Sequence, residues 1–191
     1  MAKALKYVIK GEGARTAVFV HGHKGNIHSL TPVATVFDEF KKVFIEAPLR
    51  ISANEYSWYI TYSDAHFFES KQLLLNTVAL ITSDIGSTVF VGFSQGGVML
   101  TELLSELELT KLAILCSKVE NPELHAFQDP VDSWLFMYVS LNDPIIPAGL
   151  GIESFMVLSK VFKKSLLSTD FSKHKLSAWG LRMLKRWLQE L

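Results

Sequence analysis

One serine in this sequence stands in a setting that can turn a weak hydroxyl into a nucleophile. The pentapeptide GFSQG at residues 92–96 puts Ser94 directly after the apolar run 88–91 and before a stretch with helical spacing. Such a serine occupies a tight turn between a strand and a helix, where only glycines fit on either side. The hydroxyl becomes reactive only when a base takes its proton and an acid orients that base. Because the pattern also arises by chance, its partners have to be found elsewhere in the chain.

Two histidines follow Ser94 and could act as the base. His174 lies in the segment 170–174 (DFSKH), between a weak strand pattern and a C-terminal helical pattern, where a loop beyond a strand end is expected. His125 lies in the turn-rich segment 121–125 (NPELH), and its acid would have to come from the helix after the serine turn or from its exit. In one common order of such triads the acid stands between serine and histidine, which favours His174. A surface histidine without a chemical role is the alternative interpretation.

The best candidate for the acid is Asp143. It follows the apolar run 134–139, and Pro144 and Pro147 stiffen its loop, which helps to hold a carboxylate in one orientation. Three alternatives remain, namely Asp129, Asp132 and Asp170. The first two precede the run and belong at the opposite end of a strand, whereas the third is near enough to His174 to be a turn former. An Asn-Asp-Pro turn without chemistry is the other interpretation of residue 143.

A tetrahedral intermediate needs two backbone N–H groups that point at its developing negative charge. Gln95 can supply one of them, because it follows the serine at the start of the predicted helix. The segment 21–26 (HGHKGN) follows an early strand pattern, and His23 is its best candidate for the second donor.

The same segment also permits a zinc hypothesis, since an H-x-H pair can chelate a metal. The histidines concerned are His21, His23 and His28. No cluster of further ligands follows in the sequence, so we predict no metal site and interpret His21 as a buried structural residue.

The elements that must position these residues are short apolar runs that alternate with amphipathic stretches. Strands are predicted at 17–20, 43–46, 88–91, 112–116 and 134–139, with a weaker sixth at 165–168. Helical spacing marks the stretches 73–85, 98–107 and 176–191. This alternation predicts an α/β fold with a mostly parallel central sheet that helices cover on both faces. Active residues collect beyond the carboxyl ends of such strands, where Ser94, Asp143 and His21 are all expected.

Composition and charge narrow the function classes. The 191 residues carry 19 basic and 19 acidic side chains and are 49% hydrophobic, and the absence of repeats and linkers favours one domain over 1–191. The balanced charge gives no support for a nucleic-acid partner or for electrostatic membrane attachment. No stretch approaches the length of a membrane span and the N-terminus lacks a secretory apolar region, so we expect a cytoplasmic protein. Cys116 is the only cysteine, so an internal disulfide is excluded and a buried, inert thiol is expected.

An unusually aromatic segment covers residues 56–68. Its side chains are expected either to pack in the core or to form a wall of an acyl-binding pocket. The second interpretation makes Trp58 a candidate substrate-binding residue.

Together these motifs resemble the phospholipase/carboxylesterase family of α/β-hydrolases, which includes the acyl-protein thioesterases. The resemblance spans nearly the whole chain and rests on His-Gly at 21–22, Ala-Pro at 47–48 followed by Arg50, SWY at 57–59, GFSQGG at 92–97, Asp143 with Ile146-Pro147, and the late His174. It implies a compact α/β-hydrolase fold without a large lid and without a metal or organic cofactor. It also implies a catalytic triad of Ser94, Asp143 and His174, with oxyanion donors at Gln95 and His23.

The sequence departs from the family pattern at three places. The oxyanion loop reads HGHKGN where the family usually has His-Gly-x-Gly-Asp. Phe171 replaces a glycine often found three residues before the base, and Ser140 stands where the acid loop commonly begins with glycine. The chain is also short for the family, and a small, open pocket is expected to favour short-chain or exposed esters.

The resemblance implies a serine carboxylesterase that hydrolyses carboxylic esters, or thioesters, through an acyl-enzyme on Ser94. A small-molecule ester or acyl-thioester is the expected substrate, and exposed aromatic residues could support a homodimer. The alternative is a catalytically silent α/β-hydrolase-fold module that binds a ligand or a protein. Such modules usually lack one triad residue.

Overall fold

The computed structural model describes residues 3–120 and 132–191 of the chain. Its strands, in chain order, are β1 (Tyr7–Lys10), β2 (Arg15–Val20), β3 (Phe40–Ile45), β4 (Leu49–Arg50), β5 (Tyr56–Ser57), β6 (Val89–Phe93), β7 (Lys111–Leu115), β8 (Trp134–Ser140) and β9 (Lys164–Asp170). The short strands β4 and β5 pair with each other, and the other seven form one sheet in the order β1-β3-β2-β6-β7-β8-β9.

This sheet is parallel except at one edge, where β1 pairs antiparallel with β3. Its register brings the carboxyl ends of the central strands level with one another. Gly92 lies opposite Val20, and Ser140 lies opposite Asp170. The loops that follow β2, β6, β8 and β9 therefore leave the sheet along the same edge.

In the described residues, four α-helices and one short 3₁₀ helix cover the two faces of the sheet. The helices are α1 (Ala65–Ile81), α2 (Gln95–Glu102), α3 (Ala148–Leu158) and α4 (Ala178–Leu188), and the 3₁₀ helix is Val33–Val36. The apolar side chains of α1, α2 and α3 pack in one core layer. Those of α4 and the 3₁₀ helix pack in the layer on the opposite face.

Strand β8 shows why the central strands are apolar without alternation. All of its residues are buried, because Leu135, Met137 and Val139 enter one core layer. Phe136 and Tyr138 enter the other layer. A strand that is covered on both faces has no solvent side to carry polar residues, and this two-sided burial confirms the predicted α/β architecture.

The six predicted strands and three predicted helical stretches all appear, with shifted ends. The sequence patterns did not predict β1, β4, β5, α3 or the 3₁₀ helix. The side chains of β1 are mostly exposed at the sheet edge, so this strand lacks the apolar run by which the others were recognised. In α3, two glycines weaken the helical pattern near its start.

The helices in the described part of the chain include none that is both long and apolar enough to cross a membrane.

Candidate active site

Ser94 lies on a strained turn between β6 and α2. Its φ is 52° and its ψ is −120°, a conformation that residues with a side chain rarely adopt. The flanking glycines leave no space for a Cβ, which on Gly96 would lie 2.0 Å from the carbonyl oxygen of Val20. A Cβ on Gly92 would likewise lie 2.6 Å from Cα of Gly97. The glycine requirement predicted for this turn is therefore a steric fact of the fold.

The backbone around Ser94 is bonded to the sheet, while its hydroxyl has no hydrogen bond to residues 3–120 or 132–191. The N–H of Ser94 donates to the carbonyl of Leu115 at the end of β7, at 3.0 Å. Ser94 is 9% exposed, and its Oγ makes no direct hydrogen bond to any of the described residues. The structure thus presents a hydroxyl group at the carboxyl edge of the sheet that no described side chain or backbone group binds.

His174 and Asp143 form a hydrogen-bonded pair at the same edge. Nδ1 of His174 donates to Oδ2 of Asp143 at 2.7 Å, and the Asp143 side chain is only 2% exposed. The other oxygen of this carboxylate accepts the N–H groups of Ile145 (2.8 Å) and Ile146 (3.0 Å), which fix its orientation. The ring of His174 also packs on Phe93, the residue before Ser94, with 5.0 Å between the ring centroids.

Two of the alternative acids, Asp132 and Asp170, lie among the described residues, and neither joins this pair. Asp132 precedes β8 and accepts the indole N–H of Trp134 at 3.0 Å, at the opposite edge of the sheet. His125 and Asp129 lie outside the described residues. Asp170 lies near the base but does not bond to its ring.

Asp170 instead binds three neighbouring polar groups. Its Oδ1 accepts the hydroxyl of Tyr138 at 2.6 Å and the N–H of Ser172 at 2.8 Å, and its Oδ2 accepts the hydroxyl of Ser177. Burial by itself would raise the pKa of Asp170, but the hydrogen bonds from Ser177, Tyr138 and Ser172 outweigh it and lower the pKa to about 2. Asp170 is therefore ionised at neutral pH.

The loop after β2 packs directly against the serine turn. A Cβ on Gly22 would lie 3.0 Å from Cβ of Ser94, so the two backbones are in close contact. His21 is buried, with Nδ1 donating to the Gly22 carbonyl at 2.7 Å and Nε2 accepting the N–H of Ala47 at 3.1 Å. Burial lowers the pKa of His21, although the Gly22 hydrogen bond opposes this. His21 is thus a neutral structural residue with neither nitrogen left for a metal.

Both N–H groups predicted as oxyanion donors are without a partner among the described residues. Gln95 begins α2, where the first N–H groups of a helix have no intrahelical acceptor, and His23 belongs to the loop beside Ser94. The ring of His23 lies 2.6 Å from the Ser57 hydroxyl, which in turn accepts the N–H of Lys24 at 3.2 Å. This contact holds the His23 loop in place.

The Gln95 side chain has a structural role that its sequence motif does not reveal. Its Oε1 accepts the N–H of Trp58 at 3.1 Å, and its Nε2 donates to the carbonyl of Tyr59 at 3.0 Å. The glutamine of the GFSQG motif therefore fastens the aromatic segment to the start of α2.

Trp58 itself does not form a pocket wall. Its side chain is fully buried, its indole N–H donates to the His21 carbonyl at 2.7 Å, and its ring packs on that of His21. The predicted contact with a substrate is therefore wrong in this structure, because no surface of Trp58 is left to make it. Core packing, the other interpretation of the aromatic segment, describes Trp58, Tyr59 and Phe67 correctly.

Cys116 lies close to the base and acid but has the properties of an inert thiol. It is 2% exposed, and burial, together with the charges of Asp143 and Asp170, raises its pKa to about 12. Ligand atoms of Cys116, Asp143 and His174 lie within 4.8 Å of one another, the one grouping among the described residues that could hold a metal. Two of its members already bond to each other, and a thiol with a raised pKa is a poor ligand until a metal displaces its proton.

Several solved structures with the same fold are esterases. The chain aligns over 97% of its length with 94% of a carboxylesterase from Bacillus cereus, at 17% identity and a TM-score of 0.79. It aligns over 99% with 96% of a carboxylesterase from Mesorhizobium loti, at 13% identity and a TM-score of 0.82. A phospholipase/carboxylesterase from Dyadobacter fermentans matches with 97% of each chain covered, at 18% identity and a TM-score of 0.77.

No model of a known protein family matches the sequence, and no curated protein sequence is significantly similar to it. The likeness therefore lies in the structure, where it extends over almost the full length of each esterase. The order and direction of the strands, the helices on both faces and the serine turn after β6 give the chain an α/β-hydrolase fold, which it shares with these carboxylesterases.

Proposed function

We propose that the protein is a serine carboxylesterase whose triad is Ser94, His174 and Asp143. The observation that carries the proposal is the 2.7 Å bond between His174 and the buried carboxylate of Asp143, next to a strained turn that offers a serine hydroxyl. An acid that orients a histidine beside an activated serine is the arrangement that acyl transfer requires.

The reaction follows from these positions. Oγ of Ser94 attacks the ester carbonyl while Nε2 of His174 takes its proton, and Asp143 stabilises the resulting imidazolium. The carbonyl oxygen becomes an oxyanion, to which the N–H groups of Gln95 and His23 donate. His174 then protonates the leaving alcohol or thiol, the acyl group stays on Ser94, and water releases the acid by the same route in reverse. No metal or organic cofactor takes part in this scheme.

Cys116 is the other nucleophilic side chain near His174, and its environment disfavours this role. The thiolate is the reactive form of cysteine, whereas burial and two nearby carboxylates keep Cys116 protonated with a pKa of about 12. Ser94 is thus the better candidate nucleophile.

The substrate class we propose is a carboxylic ester or thioester with a short acyl chain. Two large apolar side chains are exposed in the loops that carry the acid and the base, Ile145 with 62% exposure and Phe171 with 74%. They offer exposed apolar surface to an acyl group, which suits a short chain better than a deeply enclosed lipid.

A p-nitrophenyl ester series from acetyl to lauroyl, with matching acyl-thioesters, tests this function. We expect hydrolysis that is fastest for the short chains and that falls about 10³-fold or more in kcat for Ser94→Ala and His174→Ala. Ser165→Ala is the matched control, since this serine is exposed at the opposite edge of the sheet. A preference for lauroyl esters would refute the short-chain assignment, and wild-type protein without hydrolysis of any ester would refute the esterase.

A further inference from the structure

We propose that Asp170 is a positioning residue for the base, holding both ends of the segment 171–177 so that His174 meets Asp143 and Ser94. The proposal rests on the proposed function, since it concerns the catalytic geometry of that site. Asp170 does not touch the imidazole, and its contribution reaches the reaction only through the backbone of this segment.

The first end of the segment is held at Ser172. Asp170 accepts the N–H of Ser172 at 2.8 Å, and the Ser172 hydroxyl lies 2.6 Å from the hydroxyl of Tyr138. Tyr138 is fully buried in β8 and donates to the same carboxylate oxygen at 2.6 Å. The chain just before His174 is thereby attached to a side chain that cannot move without disturbing the core.

The second end of the segment is held at Ser177. Its hydroxyl donates to Oδ2 of Asp170 and accepts the N–H of Gly180 at 3.0 Å, which caps the start of α4. The carbonyl of Lys175 lies 3.1 Å from the Ser172 hydroxyl and is a second acceptor, besides Tyr138, for its one proton. One carboxylate thus fixes the residues on both sides of the base.

The same network joins the base segment to the acid loop. The carbonyl of Asp170 accepts the N–H of Leu141 at 2.7 Å, and the Ser140 hydroxyl donates to the carbonyl of Ser172. Asn142 donates to the carbonyl of Phe171 at 3.3 Å. Because these bonds come directly before Asp143, the acid and the base are placed relative to one common anchor.

The chemistry of the donors explains why this anchor is a carboxylate. Two hydroxyls and one N–H point at its two oxygens, and no ion pair joins Asp170 to a cation in the part of the chain that the structure describes. An amide of the same shape would turn an NH₂ group towards at least one of these donors. Asp170→Asn therefore keeps the size of the side chain and breaks part of the network.

The test compares Asp170→Asn with Asp84→Asn. Asp84 also accepts a backbone N–H and a hydroxyl, both from Ser87, but it lies before β6 at the opposite edge of the sheet. Steady-state kinetics with p-nitrophenyl acetate give kcat and KM, proton NMR reports the low-field signal of the Nδ1–H of His174, and thermal melting reports folding. Tyr138→Phe removes one donor and serves as a second, milder variant.

We expect Asp170→Asn to lower kcat about 10- to 100-fold with KM within about threefold, because a misplacement near 1 Å costs about this much. In this variant the low-field signal of His174 should broaden or vanish at temperatures where the protein is still folded. Tyr138→Phe should have a kcat and a signal between those of Asp170→Asn and wild type. Asp84→Asn should match wild type in both. Unchanged kcat and an unchanged signal in both Asp170→Asn and Tyr138→Phe would overturn the proposal. If Asp170→Asn does not fold, the kcat and the signal of Tyr138→Phe decide whether the proposal holds. If the wild type is inactive but shows the signal, and Asp170→Asn does not show it, the esterase proposal is refuted while the positioning role of Asp170 is supported.

Discussion

The turn that carries Ser94 and the loop that carries His174 lie at the same edge of the sheet, yet different forces hold them. The turn is fixed by backbone packing, since an added Cβ on Gly96 would come within 2.0 Å of the Val20 carbonyl oxygen. The loop is fixed by polar side chains gathered around the carboxylate of Asp170. The conformation of the turn is therefore determined by steric contacts, and that of the loop by hydrogen bonds to a charged carboxylate.

This difference teaches how each region should respond to substitution. A steric clash against backbone cannot be relieved by a rotamer change, so the fold itself must shift. Hydrogen bonds to a charged acceptor contribute about 1.5–3 kcal/mol each and can be removed one at a time. Changes at the turn should thus destabilise the whole protein, whereas changes around Asp170 should act on the base first.

The largest effect is expected for Gly96→Ala. The added methyl group meets the Val20 carbonyl, so we expect a loss of about 3 kcal/mol or more in the free energy of unfolding. Gly149→Ala is the matched control, because a Cβ there has nothing within 4 Å and lies in α3. The control should gain up to about 1 kcal/mol, measured by urea denaturation. Equal stabilities of the two variants would contradict the steric account of the turn.

A second effect concerns acid stability at the base loop. The folded pKa of Asp170 is lowered from 3.8 to about 2, so its stabilising contribution is complete above pH 3.8 and is lost as the pH falls towards 2. We expect Asp170→Asn to cost about 1–3 kcal/mol at pH 7. The gap between wild type and this variant should shrink across that acidic window in urea denaturation. A gap that stays constant down to pH 2 would mean that the charge of Asp170 does not stabilise the loop.

A third, smaller effect separates the two roles of Gln95. Its side chain fastens Trp58 and Tyr59, whereas the N–H that we propose as an oxyanion donor belongs to the backbone. Gln95→Ala should lose about 1–2 kcal/mol of stability and keep kcat within about tenfold of wild type. Gln72→Ala, on the exposed face of α1, should change neither quantity. A loss of kcat as large as that in Ser94→Ala would place the side chain itself in the reaction.

The smallest effect is expected from strain at Ser94. Its φ of 52° suits glycine better than any residue with a Cβ. Ser94→Gly should therefore unfold at higher urea than Ser94→Ala, by about 1 kcal/mol, even though both variants lack the nucleophile. A more stable alanine variant would show that the turn is not strained at this position.

Much of the turn could be predicted from the sequence, because steric rules leave a visible pattern. Two glycines at fixed spacing around Ser94, an apolar run before them and a helical stretch after them are sufficient, and the structure has this arrangement. Buried strands such as β8 can be predicted from the sequence for a similar reason, since burial on both faces requires an uninterrupted apolar run.

The polar network could not be predicted in this way. Tyr138 looks like an ordinary core residue of β8, and Ser172 and Ser177 look like loop serines. Asp170 was interpreted as a turn former, because the pairing of β8 with β9 is needed to bring Tyr138 to it and the start of α4 to bring Ser177. Trp58 shows the converse error, since aromatic content does not reveal which side of a segment faces the core.

The measurement that tests the central claim most directly is fluorophosphonate labelling followed by peptide mass spectrometry. The reagent reacts with a serine that is activated by a neighbouring base, and the mass spectrum reports which residue carries it. We predict one adduct, on Ser94, that is absent in Ser94→Ala and strongly reduced in His174→Ala, with Cys116 unmodified. Wild-type protein that never labels, or labels at Cys116 or any residue other than Ser94, would contradict the account.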